Sequence, residues 1–323
     1  MSLKAKSLYN LIVPFYTPLR YPGGKRRLVP AVMQILGATG LKEVDYAEAY
    51  GGGAAIAIAL LFEGYASTIS INDLSRPVYS FWHTVLNDTE RLCRRISRVR
   101  VTMDEWYRQR AIYDEQTTAD LDDLGFATLF LNRTNRSGIM GGGVIGGKEQ
   151  TGAWQLAARF NKVELINRIR RISGYRSRIR VYNLDAVDFI GSVVAGMGRN
   201  SFLFFDPPYI ENGTKLYLNT YCMADHQQVS RRVRALKQPW MVTYDYSAVK
   251  HRLYSSHRRI VYGLHYSAQS RYPGKEVLFL SNTLQVPEAW TKSRRFLMTP
   301  KSARYPLYGL TPSHWDLARG PQG

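Results

Sequence analysis

Four residues at the end of an apolar run carry groups that could bind and activate an amine. In "SFLFFDPPYI" (201–210) a hydrophobic stretch stops at Asp206, Pro207, Pro208 and Tyr209. The prolines lack N–H groups and have fixed φ angles, so the strand must end in a stiff turn whose carbonyls stay free. The Asp206 carboxylate and the Pro207 carbonyl could accept both hydrogens of a planar amino group, and Tyr209 could stack on the ring that carries it. The alternative interpretation is an ordinary turn at a strand end.

A glycine turn upstream has the composition of a nucleoside site. Gly51, Gly52 and Gly53 in "AEAYGGGAAI" separate a predicted strand from a predicted helix, and this arrangement brings free N–H groups close to a ligand. Their spacing does not match the dinucleotide pattern G-x-G-x-x-G. Asp73 ends the next strand about twenty residues later, where a carboxylate can accept hydrogen bonds from ribose hydroxyls. The alternative for Asp73 is to cap the helix that follows it.

Strands and helices alternate around both motifs. The predicted strands are 43–50, 67–73, 177–185, 201–206, 239–245, 258–266 and 276–282, and the predicted helices are 51–64, 76–87, 186–196 and 224–236. This alternation predicts an α/β fold, in which a mostly parallel sheet has helices on both faces and binds ligands at the carboxyl ends of its strands. We expect Asp73 and Asp206 to lie at that edge.

The alternation breaks over residues 101–180, where helical pieces flank the glycine-rich loop "SGIMGGGVIGGKEQTG". We interpret this segment as an inserted, mainly helical domain. The catalytic domain is then discontinuous and comprises residues 1–100 and 181–285. Residues 286–323 form a basic and aromatic C-terminal tail.

Composition limits the partners. The chain has 323 residues, with 44 Lys and Arg against 25 Asp and Glu, and its net charge of +19 favours a polyanionic partner. Its two cysteines and six histidines show no metal-ligand spacing, so we expect no metal. No apolar run is long enough to span a bilayer, and we expect a cytoplasmic protein that is monomeric in solution.

Seven segments in one order resemble the Dam-like adenine-specific DNA methyltransferases. They are "RYPGGKRRLVP", "EAYGGGA", "INDLSRPVYSFW", "FLNRTNRSGI", "VYNLDAVDF", "DPPYIENGTKLYLNTYCMADHQQV" and "KEVLFLSN", which extend over most of residues 19–282. The resemblance implies a Rossmann-like, S-adenosylmethionine-dependent methyltransferase sheet with an inserted DNA-recognition domain. It also implies methyl transfer from S-adenosylmethionine to the exocyclic N6 of an adenine flipped out of double-stranded DNA, by a bacterial or phage-encoded enzyme.

The family pattern also implies roles for single residues. The cofactor-binding residues that it implies are Tyr21, Gly24, Lys25, Glu48, Tyr50, Gly52, Asp73, Asp185 and Asp206. The implied catalytic motif consists of Asp206, Pro207, Pro208 and Tyr209. Two of these assignments have local alternatives, because Lys25 could be a solvated loop residue and Asp185 could cap the helix that it precedes.

Basic and amide side chains around the glycine-rich loop are the predicted DNA contacts. They are Asn132, Arg133, Asn135, Arg136 and Lys148. Arginine and lysine would neutralise phosphates, while the asparagines could contact phosphate or base edges. The alternative is the end of a helix followed by a glycine loop. The arginine-rich stretch 166–180 is also expected to meet phosphates.

Several departures from the family pattern leave other functions open. Ala54 stands where the family has the last glycine of the turn, and Thr243 and Tyr244 replace a Ser-Asn pair. A first alternative function is N4-cytosine methylation, since that amine offers the same two donors. A second is a nucleic-acid-binding protein that keeps the cofactor pocket without turnover.

Overall fold

The centre of the structure is one mixed β-sheet. The computed structural model of the protein describes residues 14–21, 24–208, 221–246, 252–265, 273–291 and 296–299. In this part of the chain the sheet has eight strands, which are β1 (Val44–Glu48), β2 (Ala66–Asn72), β3 (Ile179–Tyr182), β4 (Ser201–Phe205), β5 (Trp240–Asp245), β6 (Arg258–His265), β7 (Pro273–Leu280) and β8 (Phe296–Thr299).

The strand order is β3-β2-β1-β4-β5-β7-β6-β8. Strands β1 to β5 are parallel, whereas β7 is antiparallel to β5 and β6 is antiparallel to both β7 and β8. The chain runs outward from β1 to β3 and then returns to β4 beside β1, so the direction of winding reverses between these two strands. Such a switch point leaves a crevice at the carboxyl ends of the strands, where ligands bind in doubly wound sheets.

Helices cover both faces of this sheet. Those of the described residues are α1 (Val29–Thr39), α2 (Ala55–Phe62), α3 (Arg76–Asn87), α4 (Thr89–Arg98), α5 (Met103–Asp114), α6 (Leu121–Thr134), α7 (Lys162–Ser173), α8 (Ala186–Ser192), α9 (Met223–Arg234) and α10 (Glu288–Thr291).

The central strand β4 shows why its sequence forms a buried strand. All five of its residues are buried, and alternate side chains point to opposite faces of the sheet. Phe202 and Phe204 pack in the core on the side of α1, α2 and α3, while Leu203 and Phe205 pack in the core with α8 and α9. A continuous apolar run is therefore what a strand with helices on both faces requires.

The predicted inserted segment 101–180 consists mainly of the helices α5, α6 and α7. Its central helix α6 begins after Asp120, whose carboxylate accepts hydrogen bonds from two backbone N–H groups of the first turn. Every residue from Leu124 to Thr134 is buried, and α6 packs against α3 and α5. Side chains of all three helices belong to the same core as α1 and α2. The domain boundaries stay a prediction, because this core is continuous between the two segments.

The predicted α/β fold class is confirmed: the protein has a mixed, Rossmann-like sheet flanked by helices. The predicted strands correspond to β1 to β7 with ends that shift by up to three residues. Helix α1 was missed, because its segment was read only as part of the motif at 20–30. Of the predicted tail, the structure describes 286–291 and 296–299, which contain α10 and β8. None of the helices in the described ranges combines the length and apolar character that crossing a membrane requires.

One glycine decides how closely α6 approaches α3. A Cβ atom at Gly125 would lie 2.5 Å from Thr84 Oγ1 and 2.7 Å from the backbone oxygen of Ser80. In α1, by contrast, a Cβ atom at Gly37 would meet no atom within 4 Å.

We therefore predict opposite effects for the same substitution at these two helical glycines. Gly125→Ala should lower the free energy of unfolding by about 1–3 kcal/mol through overpacking. Gly37→Ala should raise it by roughly 0.5–1 kcal/mol, because alanine loses less backbone entropy in a helix. Urea unfolding measures both, and equal stability of the two variants would contradict the close packing of α6 on α3.

Candidate active site

A cavity of about 450 Å³ opens at the carboxyl ends of β1, β2 and β4. Its volume is within the roughly 300–1,000 Å³ of small-molecule sites. Its walls are formed by residues before α1, by the glycine turn and by the start of the segment after β4. The structure places nine of the predicted site residues on its surface, namely Tyr21, Gly24, Lys25, Glu48, Tyr50, Gly52, Asp73, Asp206 and Pro208.

The glycine turn approaches the cavity closely because Gly52 has no side chain. Its φ angle is +46°, and a Cβ atom there would lie 2.8 Å from Cε1 of the Tyr21 ring. The indole of Trp82 in α3 donates a hydrogen bond of 2.9 Å to the Gly52 carbonyl, and this bond fixes the position of the turn. Ala54 also adopts the left-handed conformation, with φ of +47°, at the position where the family pattern has glycine.

Asp73 connects the glycine turn with the end of β2. Its Oδ2 atom accepts the backbone N–H of Gly52 at 2.8 Å, and its Oδ1 atom accepts the N–H of Ser75 at 2.9 Å. Helix α3 begins one residue after Ser75, so the alternative that Asp73 is the helix cap is wrong. Burial raises the pKa of Asp73 to about 6, although both hydrogen bonds oppose the shift.

Glu48 is the last residue of β1 and is buried. Its Oε1 atom accepts hydrogen bonds from the Tyr46 hydroxyl at 2.8 Å and from the backbone N–H of Ala57 at 3.1 Å. Burial raises the pKa of Glu48 to about 8, and the nearby Asp206 carboxylate adds to the increase. Glu48 pairs with Phe204 in the sheet, so Asp206 lies two residues further on the same face.

Asp206 is held by a lysine that contacts a second carboxylate. The Nζ atom of Lys25 lies 2.9 Å from Asp206 Oδ2 and 3.6 Å from Glu276 Oε1. The Lys25 and Glu276 side chains are buried, while that of Asp206 is 19% exposed towards the cavity that it lines. Tyr262, which lies opposite Glu276 in the pairing of β6 with β7, donates its hydroxyl hydrogen to Glu276 Oε2.

The other oxygen of Asp206 is fixed by β5. Thr243 donates a hydrogen bond of 2.6 Å from its hydroxyl to Asp206 Oδ1. Burial raises the pKa of Asp206 and the Glu276 charge adds to this, while the Lys25 ammonium and the Thr243 hydrogen bond oppose the increase. The Pro207 carbonyl accepts no hydrogen bond from any of the described residues. Tyr209 lies outside the described residues.

Acidic and basic side chains share the cavity. Glu48, Asp73 and Asp206 line it together with Lys25 and Arg26. Burial raises the pKa of each of the three acids, so each binds a proton more strongly than an exposed carboxylate does. A positively charged ligand beside them would favour their charged forms.

Asp185 caps α8 and contacts a tyrosine of the cavity wall. One of its oxygens accepts the backbone N–H of Val187 at 2.8 Å, and Asp185 itself is not part of the cavity lining. Its second oxygen accepts the hydroxyl of Tyr221 at 3.4 Å, and Tyr221 lines the cavity beside Tyr50. The cofactor-binding role that the resemblance implies for Asp185 stays a prediction.

Two of the residues predicted to contact DNA are buried and form hydrogen bonds within the protein. The Asn132 amide accepts the backbone N–H of Arg20 at 2.7 Å and donates to the carbonyls of Arg20 and Gly138. The Asn135 amide accepts the Trp106 indole N–H at 2.7 Å and donates to two backbone carbonyls of the following loop. Both side chains are fully buried. The expectation that they touch DNA is corrected: they hold the loop in position.

The three basic residues of the predicted set have different surroundings. Arg136 and Lys148 are exposed, and a polyanion could reach them. Arg133 is buried, with an exposed fraction of 6%. Its role is therefore not that of an ordinary surface arginine.

Sequence reasoning missed four residues that shape the site. Thr243, Tyr221, Glu276 and Tyr262 lie in or beside segments that were recognised, but their roles depend on strand register. Glu276 stands in "KEVLFLSN", where an acid within an apolar strand was a visible signal. In the described part of the chain, no group of three or more His, Cys, Asp or Glu side chains is arranged to hold a metal ion.

Comparisons with solved structures find distant similarity to methyltransferases. The putative methyltransferase yhhF from Escherichia coli has 9% identity and a TM-score of 0.30, over 79% of this chain and 87% of that one. The rRNA methyltransferase aviRa from Streptomyces viridochromogenes has 10% identity and a TM-score of 0.31, over 79% and 84%. Protein LPL1258 from Legionella pneumophila has 10% identity and a TM-score of 0.30, over 86% and 88%.

No curated protein matches the chain significantly. The family model for D12 class N6 adenine-specific DNA methyltransferases matches residues 21–269, which is more than half of the chain and includes the glycine turn, Asp206 and Thr243. The expected membership in the adenine-specific DNA methyltransferases is confirmed, and the Dam-like subgroup stays a prediction. The protein is a methyltransferase and belongs to the D12 class N6 adenine-specific DNA methyltransferase family.

Proposed function

We propose that the protein transfers the methyl group of S-adenosylmethionine to the exocyclic N6 of adenine in double-stranded DNA. The observation that supports this most strongly is the position of Asp206. Its carboxylate lies at the end of β4 on the cavity surface, oriented by Lys25 and Thr243, next to the Pro207 carbonyl, which accepts no hydrogen bond from the described residues. These are the acceptors that an amino group with two hydrogens requires.

The residues of the cavity fit S-adenosylmethionine. Carboxyl groups that line the cavity would attract its positive charges, and the close backbone of Gly52 would allow its nucleoside to approach the glycine turn. Asp73, with its two oxygens already holding the turn, would accept ribose hydroxyls with its remaining lone pairs. When bound, the cofactor supplies an activated methyl group on a sulfonium centre.

The work of the protein is then to prepare the amine. Asp206 and the Pro207 carbonyl would each accept one N–H, which draws the nitrogen away from planarity and localises its lone pair. Lys25 keeps the Asp206 carboxylate charged in a buried setting, and Thr243 fixes the direction of its oxygens. The methyl group is already activated, so positioning and charge placement are sufficient. Stacking of the base on Tyr209 stays part of the proposal.

The DNA side of the proposal rests on charge and on the geometry of a duplex. An adenine paired in a duplex does not reach a cavity at a strand edge, so the base would have to be flipped out at a cost of a few kcal/mol. The exposed Arg136 and Lys148 and the net charge of +19 would bind the phosphates that surround it. The family favours adenine over N4-cytosine as the target. We do not favour the silent binding protein, because the described cavity keeps both its acid and its lysine.

The direct test of the function is to identify the methylated nucleoside. The protein is incubated with unmethylated duplex DNA and labelled S-adenosylmethionine, and the DNA is digested to nucleosides. We expect labelled N6-methyladenosine, and Asp206→Asn should reduce its formation by roughly 100-fold to 1,000-fold. Asp188→Asn, at an exposed aspartate of α8, is the matched control and should be fully active. Labelled N4-methylcytidine, or DNA binding without label, would replace the proposal by one of its alternatives.

Lys25 and Glu276 should shift the pH dependence of the reaction in opposite directions. Lys25→Met removes the charge that lowers the pKa of Asp206, so the loss of activity on the acidic side should move to higher pH. Glu276→Gln removes a charge that raises this pKa, so the same limb should move to lower pH. Single-turnover rates measured against pH would show both shifts. Movement of both variants in one direction would contradict the assigned roles.

Binding of the cofactor should release a proton from Glu48. Its pKa of about 8 leaves Glu48 mostly uncharged at neutral pH, and a bound cation favours the charged form. The affinity for S-adenosylmethionine should therefore rise as the pH increases towards about 8. Calorimetry in buffers of different ionisation enthalpy measures the released proton. Two controls are Glu48→Gln with S-adenosylmethionine and wild type with the product S-adenosylhomocysteine, whose sulfur is uncharged. If both release as many protons as wild type with S-adenosylmethionine, Glu48 is not the source.

A further inference from the structure

The guanidinium of Arg133 is buried without a counterion. The residue is 6% exposed, and its Nε atom is fully buried with no hydrogen-bond partner. No carboxylate of the described residues forms a salt bridge with it. An unpaired charge in such a position destabilises the protein considerably unless an opposite charge is bound. The position of Arg133 therefore indicates a missing anion.

A second arginine, Arg20, is half-buried and also has a buried nitrogen without a hydrogen-bond partner among the described residues. The Nη1 atom of Arg20 is buried and has no hydrogen-bond partner. Its backbone is tied to the neighbour of Arg133 in α6, because the Asn132 amide bonds both the N–H and the carbonyl of Arg20 at 2.7 Å. Gly138 leaves room for this arrangement, since a Cβ atom there would lie 2.2 Å from the Arg20 carbonyl oxygen. These contacts fix the Arg20 backbone beside α6, and the charge of Arg20 acts on Arg133.

Two further arginines surround this pair. Arg168 of α7 donates to the Thr17 carbonyl at 3.1 Å and lies 4.6 Å from the centre of the Phe15 ring. Burial lowers the pKa of Arg133 to about 10, and the charges of Arg20, Arg168 and Arg159 contribute in that order, with Glu164 opposing them. The Glu164 carboxylate is itself hydrogen-bonded to Arg168. Four cations therefore face one carboxylate that already has a partner.

We propose that Arg20 and Arg133, with Arg159 and Arg168 around them, form a binding site for a tetrahedral oxyanion, and that its occupant is a phosphate of the DNA backbone. Guanidinium groups match the oxygens of a phosphate better than any other side chain. Arg20 stands between Leu19 and Tyr21 in the chain, and both of these neighbours line the active-site cavity. A DNA strand that presents a base to the cavity would therefore pass near the arginines. This identification of the occupant rests on the proposed function, whereas the anion site does not.

The first experiment measures the anion with the full-length protein. Thermal unfolding is followed in increasing inorganic phosphate, against sodium chloride of equal ionic strength. Wild type should be stabilised by phosphate in a saturable manner, as expected for a ligand that binds only the folded state. Arg133→Met and Arg20→Met should lose this response, and Arg133→Met should unfold at a higher temperature than wild type in chloride because it removes an unpaired buried charge.

The control variant is Arg98→Met. Arg98 is an exposed arginine at the end of α4 and forms no salt bridge with the described residues. Its substitution should leave the response to phosphate unchanged. A response that persists in Arg133→Met and Arg20→Met, or that is absent from wild type, would overturn the anion site.

The second experiment identifies the occupant. The dissociation constant of a DNA duplex is measured against salt concentration for the same variants. Arg133→Met should weaken binding about tenfold and reduce the slope of log Kd against log salt by about one, while Arg98→Met keeps the slope. Loss of the phosphate response with an unchanged slope would mean that the site takes a free phosphate ion, and the DNA occupant would be wrong. Failure of the proposed function would show differently, since wild type would bind phosphate and DNA but transfer no methyl group.

Discussion

A lysine between two carboxylates in an apolar surrounding is the constraint on which the site depends. Lys25 contacts Asp206 from β4 and Glu276 from β7, and Glu276 is in turn bonded to Tyr262 from β6. Removing one member of such a group would leave a buried charge without compensation, which is far more costly than the group itself. Lys25 and Thr243 fix the orientation of the Asp206 carboxylate, and Asp206 lines the cavity. The charges of Lys25, Asp206 and Glu276 therefore determine both the stability of this part of the sheet and the geometry of the proposed chemistry.

The strand order explains how residues so distant in the chain meet. Glu48 and Asp206 are neighbours because β1 and β4 are paired at the switch point of the sheet. Thr243 reaches Asp206 because β5 is the next strand, and Glu276 lies near because β7 is inserted antiparallel beside β5. The carboxyl groups that line the cavity suit a cationic ligand, and the glycine turn beside them suits a nucleoside. A methyl donor with a sulfonium charge and an adenosine part combines both properties.

Local sequence patterns were sufficient to predict the strands and helices but not the contacts between their side chains. The apolar run before Asp206 and the glycines after Glu48 predicted two strand ends, because burial on both faces and close backbone approach leave clear sequence signals. The amides of Asn132 and Asn135 were misread, since an asparagine that bonds a distant backbone looks the same in sequence as one that is exposed. The contact of Asp185 with Tyr221 was not predicted, because the two residues are 36 positions apart in the chain. The contact between Lys25 and Glu276 depends on register across four strands, which no local pattern encodes.

The central claim is that Lys25 keeps Asp206 charged at the cavity surface, and the protonation state of this carboxyl is directly measurable. In protein labelled with ¹³C at the aspartate carboxyl carbons, the signal that disappears in Asp206→Asn is followed by NMR as the pH is changed. We expect Asp206 to be ionised at neutral pH in wild type and its carboxyl to titrate at a higher pH in Lys25→Met, because the ammonium of Lys25 lowers its pKa. An Asp206 that is protonated at neutral pH in wild type, or that titrates identically in both proteins, would contradict it.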